Sequence, residues 1–367
     1  MKNVFGEALT LTLFGESHGP AVGATLDGVP PGLIFDEEDV RTALALRRPH
    51  GIISTARAEA DDFSVLSGVF RGKTTGTPLT VVIPNADVQS GDYEYGRVRP
   101  GHADLTAYYK DHGYEDYRGG GHFSGRLTAA LVAVCAPLRA ALDRAGIRIG
   151  THIRTLGGIG DREFGDAAED IAALNAKVFP VLDGEAAEAM IRRIEEAAAG
   201  GDSVGGVLET LVTGVPAGLG EPFFDSVESM LAHAMFSIPA VKGVEFGAGF
   251  ALAGMTGSEA NDAVRVSPGG ELPYVTETNR CGGILGGITD GMPILMRTAV
   301  KPTPTIAKEQ KSVDLNTREN VDLRGRGRHD PAIVHRARAV VDSLTAFVIA
   351  DLLTVRYGTD HLTDVSS

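Results

Sequence analysis

Tryptophan is absent and cysteine nearly so: the 367 residues hold two cysteines, Cys135 and Cys281, far apart and in no CxxC pair. That usage speaks against a disulfide framework and a thiolate zinc site, and fits a reducing compartment. No run of about 18 uncharged apolar residues occurs, so no segment reads as membrane-spanning. Basic residues are outnumbered, 34 Lys plus Arg against 48 Asp plus Glu, a formal charge of −14. Such a balance disfavours nucleic acid or an anionic membrane as a partner, although a small anionic ligand remains open to locally clustered arginines. The first 13 residues carry Glu7 and Thr10 within their apolar stretch and lack a small-residue cleavage site. They do not read as a secretory signal, and the cytoplasm is the expected location. Internal repeats, low-complexity tracts and Pro- or Ser-rich linkers are missing too, so residues 1–367 are expected to form a single domain.

What abounds is glycine, 47 residues or about 13% of the chain, against roughly 7% in an average protein. These glycines follow no three-residue period, and the 43% hydrophobic content suffices for a core. Leu9 to Phe14 alternates Leu and Thr at the period of a half-buried strand, and Ala21 to Leu26 resumes an extended pattern. Phe63 to Phe70, Leu79 to Ile83 and Val207 to Val212 also read as strands. Helices are expected from Glu37 to Leu46, N-capped by Asp36, and from Ser124 to Gly146 with a kink at Pro137. Others should run from Asp183, with Met190, Ile191, Ile194 and Ala198 inward, from an Asp225–Glu228 capping box to Phe236, and from Ala337 to Tyr357. Strands and helices mix without regular alternation, which points to an α+β fold rather than a doubly wound parallel sheet.

Several glycine clusters also hold His and Arg: Gly15 to Gly19 with Ser17 and His18, Arg99 to Asp104 with His102, Arg118 to Arg126 with His122, and Arg324 to Asp330. Glycine lets backbone approach a ligand, arginine offers a fork of donors for phosphate or carboxylate, and histidine exchanges protons near neutrality. The loop Arg118 to Arg126 leads into a helix start, whose free N–H groups suit an anion. Neither GxxxxGK[ST] nor GxGxxG occurs there, so the ordinary nucleotide folds are not indicated. Gly15-Glu16-Ser17-His18-Gly19 formally matches the GxSxG elbow of serine hydrolases, but extended chain follows it instead of a helix. His102 suits proton transfer beside an anion, or a structural bond to Asp104. Nothing in the spacing of His18, His102, His122 and Asp330 demands a metal. Asn279 to Ile288 reads as backbone laid against a flat ligand or another strand, and Lys301-Pro302-Thr303-Pro304-Thr305 as a stiff grip for a phosphate.

Read in order, these segments resemble the chorismate synthase family over essentially the whole chain. The resemblance rests on Phe14 to Gly19, Asp27 to Gly32, Leu66 to Val69, Thr74 to Thr77, Arg99 to Asp104, Asp116 to Gly121, Lys242 to Gly247, Gly282 to Ile288, Lys301 to Thr303 and Arg328 to Pro331. It implies a lyase that converts 5-enolpyruvylshikimate 3-phosphate to chorismate and phosphate by 1,4-anti elimination, requires reduced FMN, and assembles as a homotetramer of subunits with helices sandwiched between antiparallel sheets. His18 would protonate the departing phosphate, His102 would favour the anionic flavin, and Asp330 would help take the substrate proton through flavin N5. Ser17, Arg48, Arg99 and Arg126 would bind substrate. Flavin would meet His122, Phe123, Ser124, Ala240, Gly286, the segment Lys301 to Thr305 (Pro302, Thr303 and Pro304 included) and Arg328. Arg47 matches one of two arginines linked to NADP in the family; the second falls near Ile53, with Arg57 as the nearest substitute, so NADPH as the reductant stays open. A widespread form of the flavin segment reads Arg-Ser-Ser where this chain has His122-Phe123-Ser124, and the common Asn-Ala is Pro239-Ala240. The rival readings are a hydrolase acting through Ser17 and a non-catalytic flavin- or phosphate-binding protein.

Overall fold

The Leu and Thr alternation does make a strand. In the computed structural model, which describes residues 2–55, 61–86, 91, 93–267, 272–325 and 330–363, Thr10–Gly15 (β2) pairs antiparallel with Val4–Phe5 (β1) and Ala21–Asp27 (β3). Leu79–Pro84 (β7) and Ser64–Ser67 (β4) complete a five-stranded sheet in the order β1-β2-β3-β7-β4. The strand expected over Phe63 to Phe70 is cut at Gly68, whose φ is 91° and whose missing Cβ would stand 2.5 Å from Leu79 Cα. Val69–Phe70 (β5) turns back in a hairpin with Lys73–Thr74 (β6).

A second antiparallel sheet runs Val241–Phe246 (β11), Ile294–Val300 (β16), Gly206–Thr213 (β10), Arg148–Leu156 (β8) and Ile159–Gly160 (β9). Besides β5–β6, three more hairpins stand outside both sheets: Val264–Val266 (β12) with Tyr274–Thr276 (β13), Ile284–Leu285 (β14) with Ile288–Thr289 (β15), and Glu309–Asp314 (β17) with Glu319–Arg324 (β18). Between the sheets lie Glu37–Arg47 (α1), Thr128–Arg144 (α3) and Val334–Tyr357 (α8). Helix α3 packs on β3 and β7 from one side and on α8 from the other, while α8 reaches β8 and β10. The architecture is α+β, as expected. Helices Asp104–Asp111 (α2), Ala167–Asn175 (α4), Gly184–Ala199 (α5), Val227–Ser237 (α6) and Gly257–Ala260 (α7) complete the described set.

Helices α3 and α8 are buried on nearly every side, as befits helices with neighbours all round, whereas α1 buries Val40, Leu44 and Arg47 and exposes its acidic first turn. The stretch Gly125–Arg144 is long and apolar enough to cross a membrane, yet it is mostly buried inside the protein. Helix α3 continues through Pro137 and begins at Thr128, after a 3-10 turn over Gly125–Leu127. Buried polar groups on α8 find partners: Asp342 meets Thr151 Oγ1 at 2.6 Å and Arg139 at 3.0 Å, and Asp351 accepts the backbone amides of Glu7, Ala8 and Leu9.

Caps follow local chemistry. Asp36 accepts from Glu38 N, as read from sequence, and Asp183, the expected start of α5, caps it by accepting from Ala186 N. The Asp225–Glu228 capping box does not form, because Asp225 sits at φ 58° and Ser226 becomes the N-cap, accepting from Ser229 N at 3.1 Å. On α5 the helix phase buries Ala197 and leaves Ala198 exposed, and α8 starts at Val334, three residues ahead of the expected Ala337.

His335 on α8 is fully buried, its Nε2 2.8 Å from Ser54 Oγ. Burial first, then the charges of Arg336 and His50, push its pKa from 6.5 down to about 3. Between those values the unfolded chain binds a proton that the fold refuses, so stability falls as pH drops, by about 2 kcal/mol from pH 7 to 5. Urea melts should show that loss in the parent and a flatter acid limb in His335→Gln; an unchanged limb in the variant contradicts the assignment.

Candidate active site

Three consecutive glycines organise the site. Gly119, Gly120 and Gly121 have φ of 60°, 85° and 50°, a left-handed run that residues with a Cβ rarely enter. Ser17, in the turn between β2 and β3, clamps this run: its N donates to Gly121 O at 3.1 Å and its Oγ to Arg118 O at 3.3 Å. The His18 ring then lies against Gly119, where a Cβ would collide with it, and His102 Cε1 lies 2.7 Å from where a Gly120 Cβ would stand. Two histidines distant in sequence thus rest on adjacent residues of one turn.

A ring of contacts joins them from the other side. Asp104, at the start of α2, accepts from His102 Nδ1 at 2.8 Å and from Arg99 through Nη2 at 2.7 Å, Nε at 2.8 Å and the backbone N at 2.9 Å. Burial disfavours the Asp104 charge, but hydrogen bonds from His102 and Arg99 and their charges outweigh it, holding the carboxyl far below the ordinary range. The Arg99 guanidinium lies over the Tyr93 ring, 5.3 Å from its centroid, and Tyr93 meets His18 edge-on at 5.2 Å. Beside this ring opens a cavity of about 390 Å³ walled by Tyr93, Tyr95, Tyr117, Phe123, Thr305 and Gly325, among others.

A second cluster is built on Asp61, whose carboxylate is buried. Arg126 pairs with it directly, Arg47 lies 3.7 Å away and Arg48 3.6 Å. Arg47 also donates to Thr128 Oγ1 and Gly125 O, both at 2.8 Å, and Arg126 to Asn85 Oδ1 at 3.0 Å and Pro84 O at 3.1 Å. Asn85 donates onward to Glu16 O and Gly19 O at 2.9 Å, linking this cluster to the turn that carries His18. Asp330 pairs with Arg336, which donates to Arg47 O at 2.9 Å. Burial pushes the Asp330 carboxyl upward against the opposing charge and hydrogen bond of Arg336.

The remaining candidates divide. Phe123 and Thr305 line the cavity, and the Lys301 ammonium donates to Gly101 O, in the His102 loop. Ala240 adjoins Lys301 through its carbonyl, which accepts Lys301 N at 2.9 Å. Ser203 Oγ donates to Thr303 O at 2.7 Å, whereas Thr303 Oγ1 is buried with no partner. Pro304, after Pro302 and Thr303, lies 3.2 Å from where a Gly101 Cβ would stand. Ser124 caps the 3-10 turn by accepting from Arg126 N at 3.2 Å. Both ring nitrogens of His122 are engaged, Nδ1 with Gly15 O at 2.8 Å and Nε2 with Asn3 Oδ1 at 3.2 Å. Gly286 stands apart from the cavity, in the turn between β14 and β15. Its neighbours Gly282, Gly283 and Gly287 pack on backbone of Gly247, Met292 with Pro293, and Glu221. Arg328 and Arg57 lie outside the described residues. Ser17 sits between two strands, so no strand-turn-helix elbow supports a hydrolase nucleophile.

The chorismate synthase family model matches residues 9–354. The chain belongs to the chorismate synthase family. It is 49% identical over 358 residues to the chorismate synthase of Aeropyrum pernix, covering 97% of this chain and 93% of that one. The chorismate synthase of Pyrococcus abyssi is 47% identical over 353 residues, with 96% and 97% covered. A crystal structure of chorismate synthase superposes with a TM-score of 0.76 at 31% identity, over 97% of this chain and 94% of the other. The activity is accordingly that of a carbon–oxygen lyase of the shikimate pathway, which converts 5-enolpyruvylshikimate 3-phosphate, a small anion, to chorismate and phosphate. Chorismate synthases use reduced FMN. Against that chemistry, sequence reading passed over Asp61, Asn85, Tyr93 and Arg336. Tyr93 carried the faint signal of lying a few residues before Arg99-Pro100-Gly101-His102; the others carried none.

Proposed function

We propose that the elimination takes place beside the glycine turn, with reduced FMN held in the neighbouring cavity. The observation that carries this reading is the seating of His18 and His102 on Gly119 and Gly120, with Arg99 fixed close by. The cavity can take a flat ring with charged substituents: Tyr93, Tyr95, Tyr117 and Phe123 share its wall with charged side chains of both signs, Arg97, Arg99 and Arg324 among them, and the unpartnered Thr303 Oγ1 adds a donor on the segment that meets the His102 loop. Phe123, Ser124, Ala240 and Lys301 to Thr305 would hold the cofactor, which when bound supplies electron density to the substrate ring as phosphate leaves.

The chain's own groups handle binding and protons. Arg48 and Arg99 supply guanidiniums for the phosphate and carboxylates of the substrate, and the three arginines around Asp61 give that pocket an excess of positive charge. His18, whose Nδ1 lies 3.1 Å from Ser17 Oγ, delivers its proton to the departing phosphate oxygen. Asp330, with its carboxyl pushed upward by burial, suits the acceptance of the proton lost from the substrate ring carbon.

Under anaerobic conditions with reduced FMN and 5-enolpyruvylshikimate 3-phosphate, His18→Ala should form chorismate about 10²–10⁴-fold more slowly than the parent while still binding flavin. Normal turnover would remove the acid role. In the same assay NADPH with oxidised FMN should yield no chorismate, because Arg47 is 7% exposed and already bonded to Thr128 and Gly125. Turnover with NADPH alone would instead indicate a built-in reductase.

The same reading makes residues 1–367 one domain in the cytoplasm, supported by a core cluster that draws from both sheets. It also makes the protein a homotetramer. Phe223, Phe224 and Phe250 are 90%, 88% and 84% exposed, apolar surface suited to contact with further copies. Sedimentation should give four times the mass of one chain; a monomer at assay concentration rejects the assembly.

A further inference from the structure

The motif Arg99-Pro100-Gly101-His102-Ala103-Asp104 contains two groups assigned to the reaction and a third, Asp104, that is not. Asp104 lines the same cavity as Gly120. Its carboxylate is taken up by four hydrogen bonds, three from Arg99 and one from His102. The backbone fixes it as well, since it is the first residue of α2, where a helix N-terminus favours negative charge.

We propose that Asp104 is a positioning residue that sets the tautomer of His102 and the orientation of the Arg99 guanidinium together. An ionised carboxylate can only accept, so the 2.8 Å contact requires the proton of neutral His102 on Nδ1. The Arg99 Nη2 contact to the same nitrogen, at 3.2 Å, is then proximity within an ion cluster rather than a donated bond. With Nδ1 occupied, the Nε2 lone pair is left on the ring edge that lies along Gly120, 3.1 Å from the site of the missing Cβ. Five other groups lie near enough to enter the same balance. Tyr93 carries Arg99 on its face and meets His18 in a T-shaped pair, Asp116 is paired with Arg118 on the glycine side, and the Lys301 ammonium donates to Gly101 O beside His102. Only Asp104 touches both Arg99 and His102 with a negative charge among the described residues. Removing that charge alone should release the His102 tautomer and loosen the anion-binding fork in one step.

The inference rests on the proposed part of His102 in turnover, and the test separates the two. Nitrogen-15 NMR of the unmutated protein, with histidine labelled, should show neutral His102 as the Nδ1–H tautomer; the Nε2–H tautomer overturns the proposal. Asp104→Asn keeps the shape and one acceptor but removes the charge. It should let His102 populate the Nε2–H tautomer beside the Nδ1–H form, because an amide can donate as well as accept, and raise KM for substrate through Arg99. A parental tautomer with parental KM overturns the proposal. Should Asp104→Asn fail to fold, the tautomer in the unmutated protein decides alone. A fully active His102→Ala overturns the reading of His102 and the proposal built on it, whereas a wrong tautomer in an enzyme that needs His102 overturns the proposal only.

Discussion

Gly119→Ala is expected to cut turnover by about 10²-fold or more while leaving the fold intact. The added methyl would occupy the space of His18 Cε1 and Nδ1 and approach Ser17 Oγ to 2.7 Å, at a φ of 60°. The backbone cost of a left-handed alanine is only about 1–2 kcal/mol, which a protein with so large a core withstands. The ring displacement is the greater effect, because a misplacement of about 1 Å at a reacting group costs about 10²-fold. Stopped-flow turnover and thermal melts on the same preparation separate the two. Gly184→Ala, at a helix start with nothing within 4 Å of the new Cβ, serves as the neutral control. Parental turnover in Gly119→Ala would mean that His18 need not stand where the turn holds it.

Asp61→Asn should act on stability as much as on rate. Asn tolerates the left-handed backbone that Asp61 adopts at φ 52°, so the substitution isolates the charge. Arg47 and Arg126 are 7% and 4% exposed, and both, with Arg48, face this one carboxylate. Leaving them buried together without it should destabilise the fold by about 3–5 kcal/mol, the range for a broken buried ion pair. Equilibrium urea unfolding measures the loss. Inorganic phosphate should restore more stability to the variant than it adds to the parent, because an anion can take the place of the missing carboxylate. A variant as stable as the parent removes Asp61 from its place as the organising charge.

The sequence made the glycine loops legible because their residue types are chemically loud: His, Arg and Ser between glycines have few structural reasons to recur. Asp104 was visible as a partner of His102, two residues away, since a short loop brings such neighbours together. Asp61 was not, because nothing local distinguishes it from Asp62; its importance arises from arginines contributed by the C-terminal end of α1 and by the 3-10 turn ahead of α3. Asn85 and Arg336 are of the same kind, single links between segments far apart in sequence. Helix starts behaved likewise. Asp36 and Asp183 were readable from one turn of chain, but the choice between Asp225 and Ser226 turned on a backbone angle that adjacent residues impose. The break at Gly68 depended on how closely Leu79 passes it.

Helix α8 has 20 of its 24 residues buried between elements formed hundreds of residues earlier, and Asp351 binds amides 342 to 344 positions upstream. During synthesis, therefore, the inner faces of α1, α3 and both sheets are made long before the segment that covers them emerges. The core cannot close on the ribosome until α8 has left the exit tunnel, so assembly of the active site comes late and carries a large loop-closure cost. Until then the nascent chain displays apolar helix and sheet surface, the kind of intermediate on which chaperones act, and a chain cut before α8 lacks the helix that joins α3 to the second sheet.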